Sequence, residues 1–87
     1  MSYSISVSNK AARAMLALPK QEQARAKARI DALLVNPRPS GCLKLSGHES
    51  LYRVRFGNYR IIYSIDDGLL IVLVIHVAHR RESYRDL

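Results

Sequence analysis

Eighty-seven residues allow one domain with a small core and leave no room for a second. Hydrophobic residues make up 48% of the chain, which excludes a disordered polypeptide. The 14 Lys and Arg against 7 Asp and Glu leave a net charge of +7, which a soluble surface or a nucleic-acid partner would each explain.

The positive charge differs in kind along the chain. Residues 1–50 mix lysine (Lys10, Lys20, Lys27, Lys44) with arginine (Arg13, Arg25, Arg29, Arg38). From residue 51 onward every cation is arginine: Arg53, Arg55, Arg60, Arg80, Arg81 and Arg85. Arginine is the side chain suited to bidentate phosphate recognition, so the second half leans toward nucleic acid. The single cysteine, Cys42, cannot form an internal disulfide, which suits a reducing compartment. Met1-Ser2-Tyr3-Ser4 lacks the basic and apolar regions of a signal peptide. The longest apolar run, Leu69 to Ile75, is far shorter than the ~20 residues of a membrane span. A cytoplasmic protein with no membrane association is the expectation.

Tyr3 to Val7 alternates with a period of two, the signature of a strand. Ser8 and Asn9 are good N-caps for a short helix carrying Ala12, Met15 and Leu16 at i, i+3 and i+4. Leu18-Pro19 breaks it, and Pro19 suits the first position of a second helix from about Lys20 to Val35. Ala26, Ile30, Leu33 and Leu34 form the apolar stripe of that helix, and Asn36-Pro37 stops it. Residues 37–50, rich in Pro, Gly and Ser, read as a loop. Strand patterns follow at Leu51–Phe56, Tyr59–Ile65 and Leu69–Val77, and then a polar tail from His79 to Leu87. The last strand is apolar at nearly every position, so it should lie centrally or be covered on both faces. The prediction is a single α+β domain over residues 1–87. Its order is strand-helix-helix-strand-strand-strand, with two N-terminal helices on one face of a small antiparallel sheet.

The turn between the second and third strands allows a sharper inference. A two-residue loop at Gly57-Asn58 sets Phe56 opposite Tyr59, Arg55 opposite Arg60, Val54 opposite Ile61 and Arg53 opposite Ile62. Alternation then gathers Tyr52, Val54, Phe56, Tyr59, Ile61 and Tyr63 on one face and Arg53, Arg55 and Arg60 on the other. Like charges directly opposite destabilise a strand pair. Either each guanidinium fans out into water at a cost of a few tenths of a kcal/mol, or an anion is meant to lie between them.

The next turn leaves two alternatives open. A three-residue loop at Asp66-Asp67-Gly68 puts Val72, Val74 and His76 on the arginine face. A two-residue Asp67-Gly68 loop reverses the parity and points His76 into the helix-side core. A histidine within a run of Ile and Val is more often a hydrogen-bonded core residue than a catalytic one, so His76 stays outside the candidate site. The tail adds His79, which can move a proton, Arg80, and Tyr84, which can stack on a base. With the sheet arginines they make a phosphodiester site: cations for charge building on phosphorus, a proton carrier and a stacking ring. No phosphate-binding glycine loop and no Ser-His-Asp arrangement is present, and His48, Glu49 and His79 are too scattered to suggest a zinc site.

The segments Lys44-Leu-Ser-Gly, Leu51-Tyr-Arg-Val-Arg-Phe-Gly-Asn-Tyr-Arg-Ile-Ile-Tyr63 and His79-Arg-Arg-Glu-Ser-Tyr84 together resemble the RelE/ParE superfamily of bacterial and archaeal toxins. The resemblance spans essentially the whole chain. It implies the toxin of a type II toxin–antitoxin system. In the RelE branch such toxins are mRNA interferases that enter the ribosomal A site. They cleave the message by attack of a ribose 2′-hydroxyl on the adjacent phosphate, without a metal or other cofactor. A cognate antitoxin neutralises them. By position, Arg60 resembles the family's phosphate-binding hairpin arginine, Arg80 its tail arginine and Tyr84 its C-terminal tyrosine. Arg53 and Arg55 stand where well-studied members carry lysines. Arginine effectively cannot give up its proton, so these two can only stabilise charge, and His79 or Tyr84 become the candidates for proton transfer. The catalytic set implied is Arg53, Arg55, Arg60, His79, Arg80 and Tyr84. The ParE branch shares the fold but binds DNA gyrase and cleaves nothing, so the fold alone does not separate the two.

Overall fold

Ser8 ends the first strand and starts the first helix, and the rest of the domain is built outward from that corner. The computed structural model describes residues 3–45, 50–79 and 81. In it the chain runs β1 (Ser4–Val7), α1 (Asn9–Leu16), α2 (Lys20–Ala32), β2 (Leu43–Lys44), β3 (Leu51–Phe56), β4 (Tyr59–Asp66) and β5 (Ile71–His79). The strands form one sheet in the order β1-β5-β4-β3-β2. The class is α+β as expected, and β5 lies inside the sheet between β1 and β4, in keeping with its unbroken apolar run.

Two features correct the sequence reading of the sheet. It is mixed, because β1 runs parallel to β5 (Ser4 opposite Ile71, Val7 opposite Val74). A fifth, two-residue strand, β2, emerges from the predicted loop and pairs with β3. The parallel pairing of β1 is fixed by a partner more than 60 residues away, and β2 is two residues long, too short to show a period.

Both helices cover one face. Ala11 of α1, Ala26 and Ile30 of α2, and Leu33 just beyond it pack on Val54, Phe56, Ile61, Tyr63, Val72, Val74 and Val77. Of the stripe predicted for α2, Ala26, Ile30 and Leu33 are core. The helix stops at Ala32 and not at Val35, so Leu34 lies beyond it and is half-buried outside the cluster. The stripe predicted for α1 is displaced by part of a turn: Ala11, Ala14 and Met15 face the core, whereas Ala12 and Leu16 are exposed, Leu16 at 75%. Along an eight-residue helix of mostly small residues, periodicity alone leaves that rotation undecided.

The connection from β4 to β5 is longer than either predicted loop. Asp66 pairs with Ile71, leaving Asp67 to Leu70 as the turn. Asp66 Oδ1 accepts the Leu69 N–H at 2.9 Å, and Leu70 takes a φ of 55°. Ile65 pairs with Val72 and Tyr63 with Val74, which directs both valines into the core. The register then shifts at Ile62/Tyr63, and Ile62 pairs with His76. Ile75 is the extra residue of a β-bulge. The bulge flips the parity of β5 partway along, so the strand begins as one predicted alternative and ends as the other.

The bulge has a physical anchor. Ser8 Oγ donates to the Ile75 carbonyl at 2.7 Å and accepts the Ala11 N–H at 3.0 Å, while the Ser8 N–H reaches the Val74 carbonyl at 2.9 Å. One hydroxyl thus caps α1 and satisfies the carbonyl that the bulge displaces from regular pairing.

Candidate functional site

The hairpin at the centre of the site follows the predicted register. Gly57 has a φ of 54°, which a side-chain-bearing residue rarely adopts, and the glycine permits the two-residue turn. Arg55 then pairs with Arg60, and Arg53 with Ile62. The helix-side partners are sequestered: Val54, Phe56, Ile61 and Tyr63 are all buried. By alternation Arg53, Arg55 and Arg60 share the face turned away from the helices. Arg55 is exposed, and Arg53 and Arg60 are half-buried.

Two rows cross this face. One runs from Arg55 through Arg60 to Ala78. The next runs from Leu43 through Arg53 and Ile62 to His76. Ile62, fully buried although it lies opposite the helix-side core, forms the floor between Arg53 on one side and His76 on the other. Adjacent strands lie about 4.8 Å apart, so Arg55 and Arg60 are immediate neighbours, and Arg53 and His76 stand roughly 10 Å apart across Ile62. Arg60 Nε and His76 Nδ1 are both withdrawn from solvent.

The described acidic residues pair elsewhere than on Arg53 and Arg55. Among the described residues, the ion pairs join Arg25 to Glu22, Lys27 to Asp31 and Arg38 to Asp67, and none takes up Arg53 or Arg55. Asp66 shares their side of the sheet but is six positions along β4 from Arg60, with its carboxylate engaged in the turn. The strongest local electrostatics lie at that same end of the sheet. Arg38 makes a two-pronged contact with Asp67 at 3.1 and 2.9 Å, and Tyr3 Oη donates to Asp67 Oδ1 at 2.7 Å. These donors, Arg38 first, pull the Asp67 carboxyl down to about 2. Among the described residues, the charges of Arg53 and Arg55 are not taken up by these ion pairs.

His79 is not brought to this face. It pairs with Tyr59, which belongs to the helix side, and its ring meets the edge of Tyr59 at 5.4 Å. Tyr59 in turn stacks on Phe56 at 5.5 Å. His79 Nδ1 accepts the Arg81 N–H at 3.2 Å. His79 thus closes an aromatic row and fixes the exit of the chain from β5. Arg80 and Tyr84 lie outside the described residues.

His76 takes the opposite course. Sequence reasoning left it aside as a core histidine, and the bulge brings it to the arginine face. One of the two loop alternatives open in the sequence also put it there, but the cause, a bulge held by the Ser8 hydroxyl on the Ile75 carbonyl 67 residues away, has no local signature.

Comparison with known proteins agrees with this architecture. The profile of the ParE toxin of type II toxin–antitoxin systems, parDE, matches residues 5–84. The chain belongs to this toxin family. Within it, the relatives in hand carry the RelE name. Toxin RelE of Mycobacterium tuberculosis is 37% identical over 84 residues, covering 95% of this chain and 87% of that protein. The RelE of an archaeal RelE–RelB complex from Pyrococcus horikoshii superposes with a TM-score of 0.82 at 28% identity, covering 95% of this chain and all of that one. A chain of the M. tuberculosis RelBE2 toxin–antitoxin complex also gives 0.82, at 26% identity, covering 92% of this chain and all of that one. The toxin is therefore RelE-like. Among its described residues no helix is long and apolar enough to cross a membrane.

Proposed function

We propose that this toxin is a ribosome-dependent endoribonuclease that cleaves mRNA in the A site through attack of a ribose 2′-hydroxyl on the adjacent phosphate. The observation that carries the reading is the direct cross-strand pairing of Arg55 with Arg60, beside Arg53, on the face turned away from the helices, where none of the described ion pairs takes up Arg53 or Arg55. A like-charged pair is unfavourable in the free protein and becomes favourable around a phosphate. Guanidinium groups placed before the substrate arrives stabilise the negative charge that develops on the phosphoryl oxygens without reorganising. Arg53, Arg55 and Arg60 act in this way, and the tail contributes Arg80 for charge and Tyr84 for stacking and orientation of a base. Charge stabilisation rests on the protein's own guanidiniums.

The test is message cleavage on translating ribosomes. Arg60→Ala should slow it roughly 10²–10³-fold. Message left intact by the wild type would overturn the reading.

A cognate antitoxin is the second partner proposed. The RelE relatives are seen with RelB antitoxins. Here α1 and α2 border an open apolar groove of about 740 Å³, lined by Val7, Met15 and Leu16 together with Lys20 and Lys27. This pattern suits an acidic amphipathic segment. Leu16→Glu should abolish copurification with the product of a neighbouring antitoxin gene.

The family profile itself is named for ParE, which keeps a gyrase-directed reading in view. Inhibition of gyrase supercoiling without RNA cleavage would select it.

A further inference from the structure

We propose that His76 is the proton-transfer residue of the arginine face. The assignment rests on the ribonuclease reading above and names a group that the reading lacks. Attack by a 2′-hydroxyl requires something to take its proton, and guanidinium cannot. Arg53 and Arg55 therefore supply charge and no base, and Tyr84, the other candidate for proton transfer, lies outside the described residues. His79, the histidine that the sequence favours, faces the helix side and has Nδ1 engaged by the Arg81 N–H.

His76 meets the geometric requirement. It is the cross-strand partner of Ile62, which is also the partner of Arg53, so the imidazole and the Arg53 guanidinium flank one apolar floor. Arg60 is its diagonal neighbour, a placement that sets Cβ atoms roughly 7 Å apart. Both long cationic side chains can then converge on a phosphate within reach of the imidazole. The ring is half-buried, with Nδ1 out of solvent. The neighbouring strands present Arg53 and Arg55 from β3, and Arg60 and Ser64 from β4. β1, whose Val7 pairs with Val74, ends before it reaches His76. Among these described neighbours no other side chain can both accept and release a proton as imidazole does.

The placement has a cause in the fold. Regular pairing would send residue 76 to the same side as Val72 and Val74. The extra residue Ile75, whose carbonyl is bound by Ser8 Oγ, turns it outward. Bulges next to active sites commonly re-aim a side chain in this way.

The step balances as follows. The imidazole takes the 2′-hydroxyl proton as the O2′–P bond forms. The P–O5′ bond breaks with its electron pair on O5′, and that oxygen receives the proton from the imidazolium. The products are a 2′,3′-cyclic phosphate and a 5′-hydroxyl, and His76 returns to its starting state.

Single-turnover cleavage of ribosome-bound message by the full chain tests the assignment. His76→Ala and His76→Gln should each slow cleavage about 10²-fold or more, with half-saturation by ribosomes little changed. Added imidazole should restore His76→Ala in proportion to its concentration, a response that a purely structural role would not give. His76→Gln keeps the side-chain volume and remains informative if the alanine variant unfolds. Wild-type rates in His76→Gln, or imidazole rescue of His79→Ala in place of His76→Ala, would overturn the assignment and leave the nuclease reading standing. Message left intact by the wild type would remove both.

Discussion

Replacing Ser8 tests the corner on which the site depends. Ser8→Ala removes an acceptor for the Ala11 N–H, at 3.0 Å, and a donor to the Ile75 carbonyl, at 2.7 Å. Loss of an N-cap typically costs about 1 kcal/mol. Loss of the part-buried bond to the bulge carbonyl adds about 1 kcal/mol more. The sum, roughly 2 kcal/mol, corresponds in a domain of this size to a fall in Tm on the order of 10 °C. Urea unfolding should show a lower midpoint with an unchanged slope. Two further variants separate the bonds. Ser8→Thr keeps both and should lie within a few tenths of a kcal/mol of wild type. Ser8→Asp keeps the cap acceptor and gains from the helix dipole, yet offers the bulge carbonyl a carboxylate instead of a donor. It should therefore lose stability despite being a good cap. A Ser8→Asp protein as stable as wild type would refute the role of Ser8 in holding the bulge, and a loss below about 0.5 kcal/mol in Ser8→Ala would refute the larger argument.

Three other substitutions probe the frame around the site. Asp67→Asn removes a carboxylate held at about 2 by Arg38 and Tyr3; because its folded value is depressed, its stabilisation is complete above about pH 4 and fades as the pH falls toward 2. Acid titration of both proteins should show their stability gap closing in that window, and a gap that persists at pH 2 would contradict the assignment. Tyr63→Phe deletes the buried hydroxyl that donates to the Pro37 carbonyl at 2.7 Å, and thermal unfolding should register a loss of about 1 kcal/mol or slightly more, since that carbonyl is left without its donor. Gly57→Ala forces a side chain to a φ of 54° and brings its Cβ within 3.3 Å of the Arg25 guanidinium; a destabilisation of about 1 kcal/mol is expected, with unchanged stability counting against the turn geometry.

At the β3–β4 turn and along α2 the sequence alone was sufficient. Gly57-Asn58 fixes the β3–β4 register because a two-residue turn leaves no freedom in what opposes what, and Arg53, Arg55 and Arg60 reach one face by simple alternation. Ala26, Ile30 and Leu33 declare the buried side of α2 because helical spacing repeats over enough turns to average out exceptions. The tertiary structure decided the rest. The parallel pairing of β1 with β5, the edge strand β2 and the rotation of α1 each depend on a surface that exists only once the sheet has formed. The same holds for the two histidines. Ser8 reaches across 67 residues to hold the Ile75 bulge, and that extra residue turns His76 toward the arginines, while strand pairing sets His79 against Tyr59. Side-chain parity in a strand survives only until one residue is inserted, and the hydroxyl that stabilises the insertion belongs to the opposite end of the chain.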